Sequence, residues 1–411
     1  MNKESQGFLR TGLLVGIVLT LVAGVFNVIM DPYLVIGAPR VAGFNARKPA
    51  VDTQERMMKA YEVLAATPKT LILGASQVDF GLDAKDPAWP AQDRPVYNLG
   101  VGGGSPYISY RYLQHVMSRR HLTLVVLGLD FDYFLGLGEA NGPAEQEFGF
   151  HLAVARDGSP NADQSWQQLR DLFHATLSLD ALTDSAATLA ANFNGESSET
   201  DGKNYNALLR YIAVVGSYPV IAEVDLGLLR FPWDKQRIPL VMADVRAILD
   251  LCESHETPLI LVINPSYADK LEILDLLGYW RAFEDWKREI VALTSKYPSV
   301  SGRSRIHLWD FTGYDVYSTE TVSLNRHVLH WFVDDFHYTK ALGDVIVGRI
   351  FGSGDPHFGV LLSAENIDLH LAEIREQQRQ YREHRPADTR RVRDLYDLVI
   401  GIPSRAAMRV Q

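Results

Sequence analysis

The sequence predicts an α/β protein, a three-layer αβα arrangement around a mainly parallel sheet, with one N-terminal transmembrane helix and a helical insertion. Three observations predict this. Five short runs, at 70–73, 96–99, 122–129, 258–263 and 306–309, are apolar almost without interruption. Strands covered on both faces read this way, because neither face meets water. Between the runs lie stretches with apolar residues at helical spacing, as the crossovers joining parallel strands require. Finally, residues 11–30 contain no charged side chain.

That last segment is the first element. At 1.5 Å per residue it spans about 30 Å, the thickness of a bilayer's hydrocarbon core. Lys3 and Arg10 precede it and Asp31 follows, so the positive-inside bias places the N-terminus in the cytoplasm and the rest outside. A cleaved signal peptide is the alternative. The run is longer than a usual signal core, and no small-x-small site precedes Asp31. Pro32, Gly37, Pro39, Gly43 and Pro49 then mark 31–52 as an extended stalk. Residues 53–352 read as the α/β domain, interrupted by an insertion at about 139–235 that is polar and helical, then rich in Gly, Ser, Asn and Glu. It reads as a lid over the site. Residues 353–411 form a helical tail whose arginines, among them Arg375, Arg379, Arg382 and Arg391, suggest a solvated face.

Composition narrows the function. Over 411 residues, 47% hydrophobic and 22% charged content excludes wholesale disorder. A net charge of −10 argues against nucleic acid as a partner. The one cysteine, Cys252, sits in an apolar-patterned run and reads as a buried thiol.

Polar residues gather after the strands' C-terminal ends, where open α/β sheets place their sites. Ser76 follows the first strand in Gly74-Ala75-Ser76. It reads either as an exposed nucleophile at a helix N-terminus or as an N-cap. After the second strand, Gly100 to Ser105 includes Gly102, Gly103 and Gly104. Such a loop either lets backbone amides approach a substrate oxygen or serves a tight turn. Asp334 precedes His337 by three residues on a loop entering a helix. This spacing allows the acid to hold one ring nitrogen while the other faces a nucleophile. The alternative is a surface histidine beside a local acid.

In this order the motifs resemble those of the SGNH (GDSL-like) hydrolase superfamily. The early Gly-Ala-Ser76, the Asn98-Leu-Gly-x-Gly-Gly segment and the late Asp334-x-x-His337 carry the likeness, over residues 68–352. It is nearer to the membrane-anchored branch, similar to O-acetyltransferases of exopolysaccharide and cell-wall modification. The resemblance implies a flavodoxin-like sheet, Ser76 as nucleophile, His337 as base and Asp334 as its orienting acid. It implies oxyanion binding by amides at Ser76 and near Gly102 or Gly103. It also implies a surface or exported polysaccharide as substrate, a bacterial inner-membrane anchor with a periplasmic domain, and a separate membrane protein delivering the acyl group.

Two departures stand out. Gly-Asp-Ser reads Gly-Ala-Ser here, which is chemically neutral. The third motif, Gly-x-Asn-Asp, reads Gly128-Leu129-Asp130-Phe131, putting an acid where the family has an asparagine donor. Either Asp130 has another role, or Asn264 after the fourth strand supplies the donor, or the chemistry is altered or lost. The last option leaves a second reading: a catalytically degenerate subunit that positions polysaccharide in an envelope assembly. No cofactor motif is present, and His327, His330 and His337 show no compelling metal-ligand pattern. Trp280, Phe283 and Trp286 read as core, and Trp331 and Tyr338 as residues able to stack on a sugar ring.

Overall fold

Burial turns the apolar runs into strands. In the computed structural model, which describes residues 3–138, 141–193, 205–297, 299–300, 303–322 and 327–400, all five expected strands form. They are β1 (Thr70–Gly74), β2 (Val96–Gly100), β3 (Leu124–Leu129), β4 (Leu259–Ile263) and, after a short antiparallel pair of β5 (Ser299–Val300) with β6 (Arg303–Ser304), β7 (Ile306–Asp310). Burial is complete in β1, β3 and β4 and partial in β2 and β7. A strand not expected from the sequence, β8 (Val360–Leu362), adds antiparallel to β7 at the edge. The six-stranded sheet has the order β2-β1-β3-β4-β7-β8 and is otherwise parallel. The protein is therefore mixed α/β with a mostly parallel sheet.

The chain divides into two compact units, Met1–Thr67 with Glu145–Asn206, and Pro68–Ala144 with Ala207–Gln411. The second unit holds the sheet. Its helix Ile238–Ser254 buries Val245, Ile248, Leu249 and Cys252, whose thiol burial pushes up to about 12. Phe283 and Trp286 lie in its core, as their spacing indicates. Helix Ile367–His384 buries Ile367, Leu371, Ile374 and Tyr381. The tail is not simply a solvated face. Arg382 pairs with Glu272 and Asp275, Arg375 with Glu284, and Arg391 with Asp225 and Asp269, while Arg379 meets only exposed Glu376 and Glu383. Acids on the helices beneath drew Arg382 and Arg391 inward, which no pattern within the tail itself reveals.

The first unit contains helix Lys3–Met30, whose Ser5–Met30 portion is 26 residues long and includes an 18-residue stretch of mean hydropathy 2.6, long and apolar enough to cross a membrane. Residues 31–52 do not extend as a stalk. The buried Asp31 carboxylate accepts backbone hydrogen bonds from Ile36, Gly37 and Ala38, Asn45 Nδ2 donates to Ile29 O, and Lys48 Nζ to Met30 O at 2.5 Å. The segment thus folds back and satisfies carbonyls that the helix end leaves open. Helices Gln164–Leu177 and Leu179–Phe193, from the insertion, also belong to this unit. Residues 194–204, most of the insertion's Gly/Ser/Asn/Glu-rich stretch, lie outside the described residues.

Candidate active site

In an open sheet of order 2-1-3-4, the strand order reverses between β1 and β3, and ligands enter the crevice there. Ser76 stands at that point. β1 ends at Gly74, Ala75 is extended (φ −94°, ψ −162°) and acts as the N-cap, and helix Ser76–Gly81 begins. Ser76 is therefore the first helical residue, not the cap, and its hydroxyl is left for another partner. Asn98 on β2 fixes this short helix: its Nδ2 donates to Val78 O and Leu82 O, each at 2.7 Å, and its Oδ1 accepts from Gly100 N at 2.9 Å.

The partner of Ser76 is His337, 261 residues later, with Nε2 to Oγ at 2.7 Å. His337 Nδ1 lies 2.8 Å from Asp334 Oδ2. The Asp334 side chain is itself oriented, because Oδ1 accepts from the amides of Phe336 and His337, both at 2.8 Å. A carboxylate only accepts, so Nδ1 carries the proton, Nε2 is the acceptor and Ser76 donates to it. The loop is closed by Val333 N to His337 O at 2.7 Å and Thr339 N to Trp331 O at 2.9 Å. Tyr338, fully buried, packs on the Ser76 helix. A Cβ at Gly81 would lie 1.9 Å from its ring, so only glycine fits there. Phe80 flanks the imidazole at 4.7 Å between ring centroids.

Electrostatics favour a basic imidazole. Burial of His337 opposes its charged form, yet the Asp334 charge and hydrogen bond, with Asp130 adding, raise its pKa above the ordinary 6.5. Burial of Asp334 works against its ionisation, but His337 and the backbone amides hold its pKa below the ordinary value.

The other sequence candidates are placed as follows. Gly102 and Gly103 form a turn closed by Gly104 N to Val101 O at 2.8 Å; Gly103 is exposed with φ +66°, a conformation that favours glycine. Asp130, at the end of β3, is buried, and its Oδ2 accepts from Asn264 Nδ2 at 3.0 Å. Asn264 Oδ1 in turn accepts from Tyr338 OH at 3.1 Å. Asn264 thus serves Asp130 and Tyr338 and does not bond Ser76 or His337. Tyr338, buried in this chain of contacts, is not available to stack on a sugar. Trp331 packs edge-on against Tyr317 and His330. Burial pushes the Asp130 carboxyl up to about 6, with Asp132 adding and Lys270 and Asn264 opposing.

Tyr133 belongs to none of the sequence motifs. It lines a crevice with Gly74, Ala75, Gly104, Ser105 and Asp130. Burial and Asp130 raise its phenol far above the usual range, opposed by hydrogen bonding with the Ser76 and Gln77 side chains. It is a neutral hydroxyl beside the serine. Its place three residues after Asp130 was the only available signal.

Among the described residues, Asp225, Asp269 and Asp335 bring oxygens within 4.8 Å of one another, the donor set closest to a cation site. Arg391 pairs with two of them. Burial and mutual repulsion raise Asp335 well above its ordinary value and Asp269 up to about 7, so Arg391 and bound protons balance the cluster. Through their backbones, His327 O accepts from Ser217 N and the His330 amide donates to Glu320. No family model matches the chain, and no curated protein matches it either.

Proposed function

We propose that the chain is a membrane-anchored, SGNH-like acyl-transfer enzyme, an O-acetyltransferase or esterase acting on a surface or exported polysaccharide. The observation that carries this reading is the Ser76–His337–Asp334 relay, at 2.7 and 2.8 Å, on the end of a parallel strand. In this reading the sheet is the central layer of a three-layer αβα, flavodoxin-like domain. The helix Lys3–Met30 spans the bacterial inner membrane with its N-terminus in the cytoplasm and the sheet domain in the periplasm. Lys3 and Arg10 before the apolar run and Asp31 after it favour that orientation.

The chemistry follows from the relay. His337 Nε2 takes the Ser76 hydroxyl proton as Oγ attacks an ester carbonyl. The tetrahedral adduct expels its alcohol, protonated by His337, and leaves an acyl-Ser76. A sugar hydroxyl or water, deprotonated by the same nitrogen, then takes the acyl group and restores the serine. Amides at Ser76 and in the Gly102–Gly103 turn face the developing oxyanion, and the Tyr133 hydroxyl supplies the side-chain donor that Asp130 does not. Burial keeps that phenol protonated across the working pH range. A separate membrane protein delivers the acyl group.

A second reading, a degenerate subunit that binds polysaccharide, draws on Asp130, whose ionised form repels an oxyanion. Labelling separates the two. A fluorophosphonate probe applied to the full chain in detergent is expected to modify Ser76, and His337→Ala to suppress the modification. An unlabelled Ser76 in folded protein favours the binding subunit.

A further inference from the structure

Helix Gln164–Leu177 is built inside out for a protein surrounded by water. Its buried positions are Gln164, Asp171 and Ala175. Asp171 is turned inward, where its carboxylate accepts from Tyr61 OH at 2.5 Å, His151 Nδ1 at 2.8 Å and Gln167 Nε2 at 2.7 Å. The apolar residues face out: Trp166 is 64% exposed, Leu169 54%, Phe173 65% and Leu177 46%. They recur at spacings of three, four and four residues, one continuous helical stripe, with Leu172 and the following Leu179 at its margin. Water-facing helices place their apolar stripe toward the core, so this reversal calls for an apolar covering.

The covering is indicated by what the helix touches. Its C-terminal end packs on helix Lys3–Met30: Asn27 Nδ2 donates to Thr176 O at 3.0 Å, and a Cβ at Gly24 would lie 3.3 Å from Leu177 Cδ2. Helix Lys3–Met30 is itself exposed along Leu13, Leu21, Val22 and Val25. The charge-free run ends at Met30, before Asp31. Asn27 and Gly24 lie three and six residues inside that end, about 4.5 and 9 Å along the helix axis. Interfacial helices bury their apolar face to about 5–10 Å below the boundary. The depth fixed by the contact and the depth required by the amphipathic face agree.

We propose that helix Gln164–Leu177 is a second membrane contact, lying in the interfacial layer of the same bilayer leaflet that receives the C-terminal end of helix Lys3–Met30. This rests on the reading of the latter helix as a membrane span. Lipid is favoured over a protein partner because the stripe is continuous with a helix whose own exposed face is apolar, and because Trp166 provides the aromatic residue typical of the headgroup level. The contact holds the first unit against the bilayer at a second point, so the unit is fixed by a helix through the membrane and another along it.

The test uses the full chain in phosphatidylcholine–phosphatidylglycerol vesicles on a Cys252→Ala background. An environment-sensitive thiol dye is placed singly by Leu169→Cys, Phe173→Cys, Leu19→Cys or Gln380→Cys. Lipids brominated near the headgroup or near the chain ends serve as quenchers. We expect blue-shifted emission at 169 and 173, quenched more by shallow than by deep bromines. Position 19 should be quenched most by deep bromines, and position 380 by neither. Unquenched, water-like emission at 169 and 173 with deep quenching at 19 overturns the proposal and leaves the span standing. Blue-shifted but unquenched emission at 169 and 173 overturns it in favour of a protein covering. No quenching at 19 removes the span itself and the proposal with it.

Discussion

Asp130 and Asn264 are joined by a hydrogen bond of 3.0 Å from the Asn264 amide to the Asp130 carboxylate. This pairing explains why the asparagine after β4 offers no donor to Ser76: its amide is spent on Asp130. It also sets Asp130 and Tyr133 in opposition. Asp130→Asn keeps an acceptor for Asn264, removes a charge and gains an amide donor. We expect it to raise ester turnover at neutral pH, by up to about a hundredfold. Tyr133→Phe should lower it, by about the same factor. Steady-state kinetics of the two variants reads both signs.

The pH dependence follows from His337. Its raised pKa places the acid limb of kcat/KM above pH 6.5, since only the neutral imidazole accepts the serine proton. Asp334→Asn removes the charge that opposes desolvation, so the limb should move down in pH while the plateau falls. A limb that stays in place would mean that Asp334 does not set the histidine's ionisation.

Asn98 tests how far the Ser76 helix depends on β2. Asn98→Ala leaves the carbonyls of Val78 and Leu82 and the Gly100 amide without their side-chain partner. The expected loss is about 1–3 kcal/mol of stability, read by urea denaturation, with a fall in turnover at temperatures where the variant remains folded.

At the C-terminal end of β7, Lys287 Nζ lies 2.6 Å from Asp310 Oδ2 with both side chains fully buried, and His370 Nε2 lies 2.9 Å from the same oxygen. Lys287→Ala strands a buried carboxylate and should cost about 3–5 kcal/mol in thermal unfolding. Burial resists ionisation of Asp310, but Lys287 and His370 hold its pKa below the ordinary 3.8. A depressed carboxyl stabilises the fold above the unfolded pKa, so this contribution should fade as pH falls below about 4.

The strands were legible because a buried strand has no polar face to interrupt it. β8 was not, since three residues at a sheet edge carry no pattern. Asp334 and His337 are legible because their pairing is local, three residues apart, whereas only the order of the motifs points to the Ser76–His337 contact. What surrounds Ser76 was less readable. Asp130 meets Asn264 because β3 and β4 align Leu129 with Ile263, a register no single run encodes. Arg375, Arg382 and Arg391 likewise found acids more than 90 residues away in sequence, such as Glu272 for Arg382. The segment 31–52, rich in Pro and Gly, gave the composition of a stalk, but Asp31, Asn45 and Lys48 fold it onto the helix end.

The relay is tested most directly by hydrolysis of a chromogenic acetyl ester by the full chain in detergent, comparing wild type with Ser76→Ala and His337→Ala. The account predicts turnover by the wild type and its loss in both variants, with each variant still folded by circular dichroism. Turnover that survives Ser76→Ala, or a folded wild type with none, would contradict it.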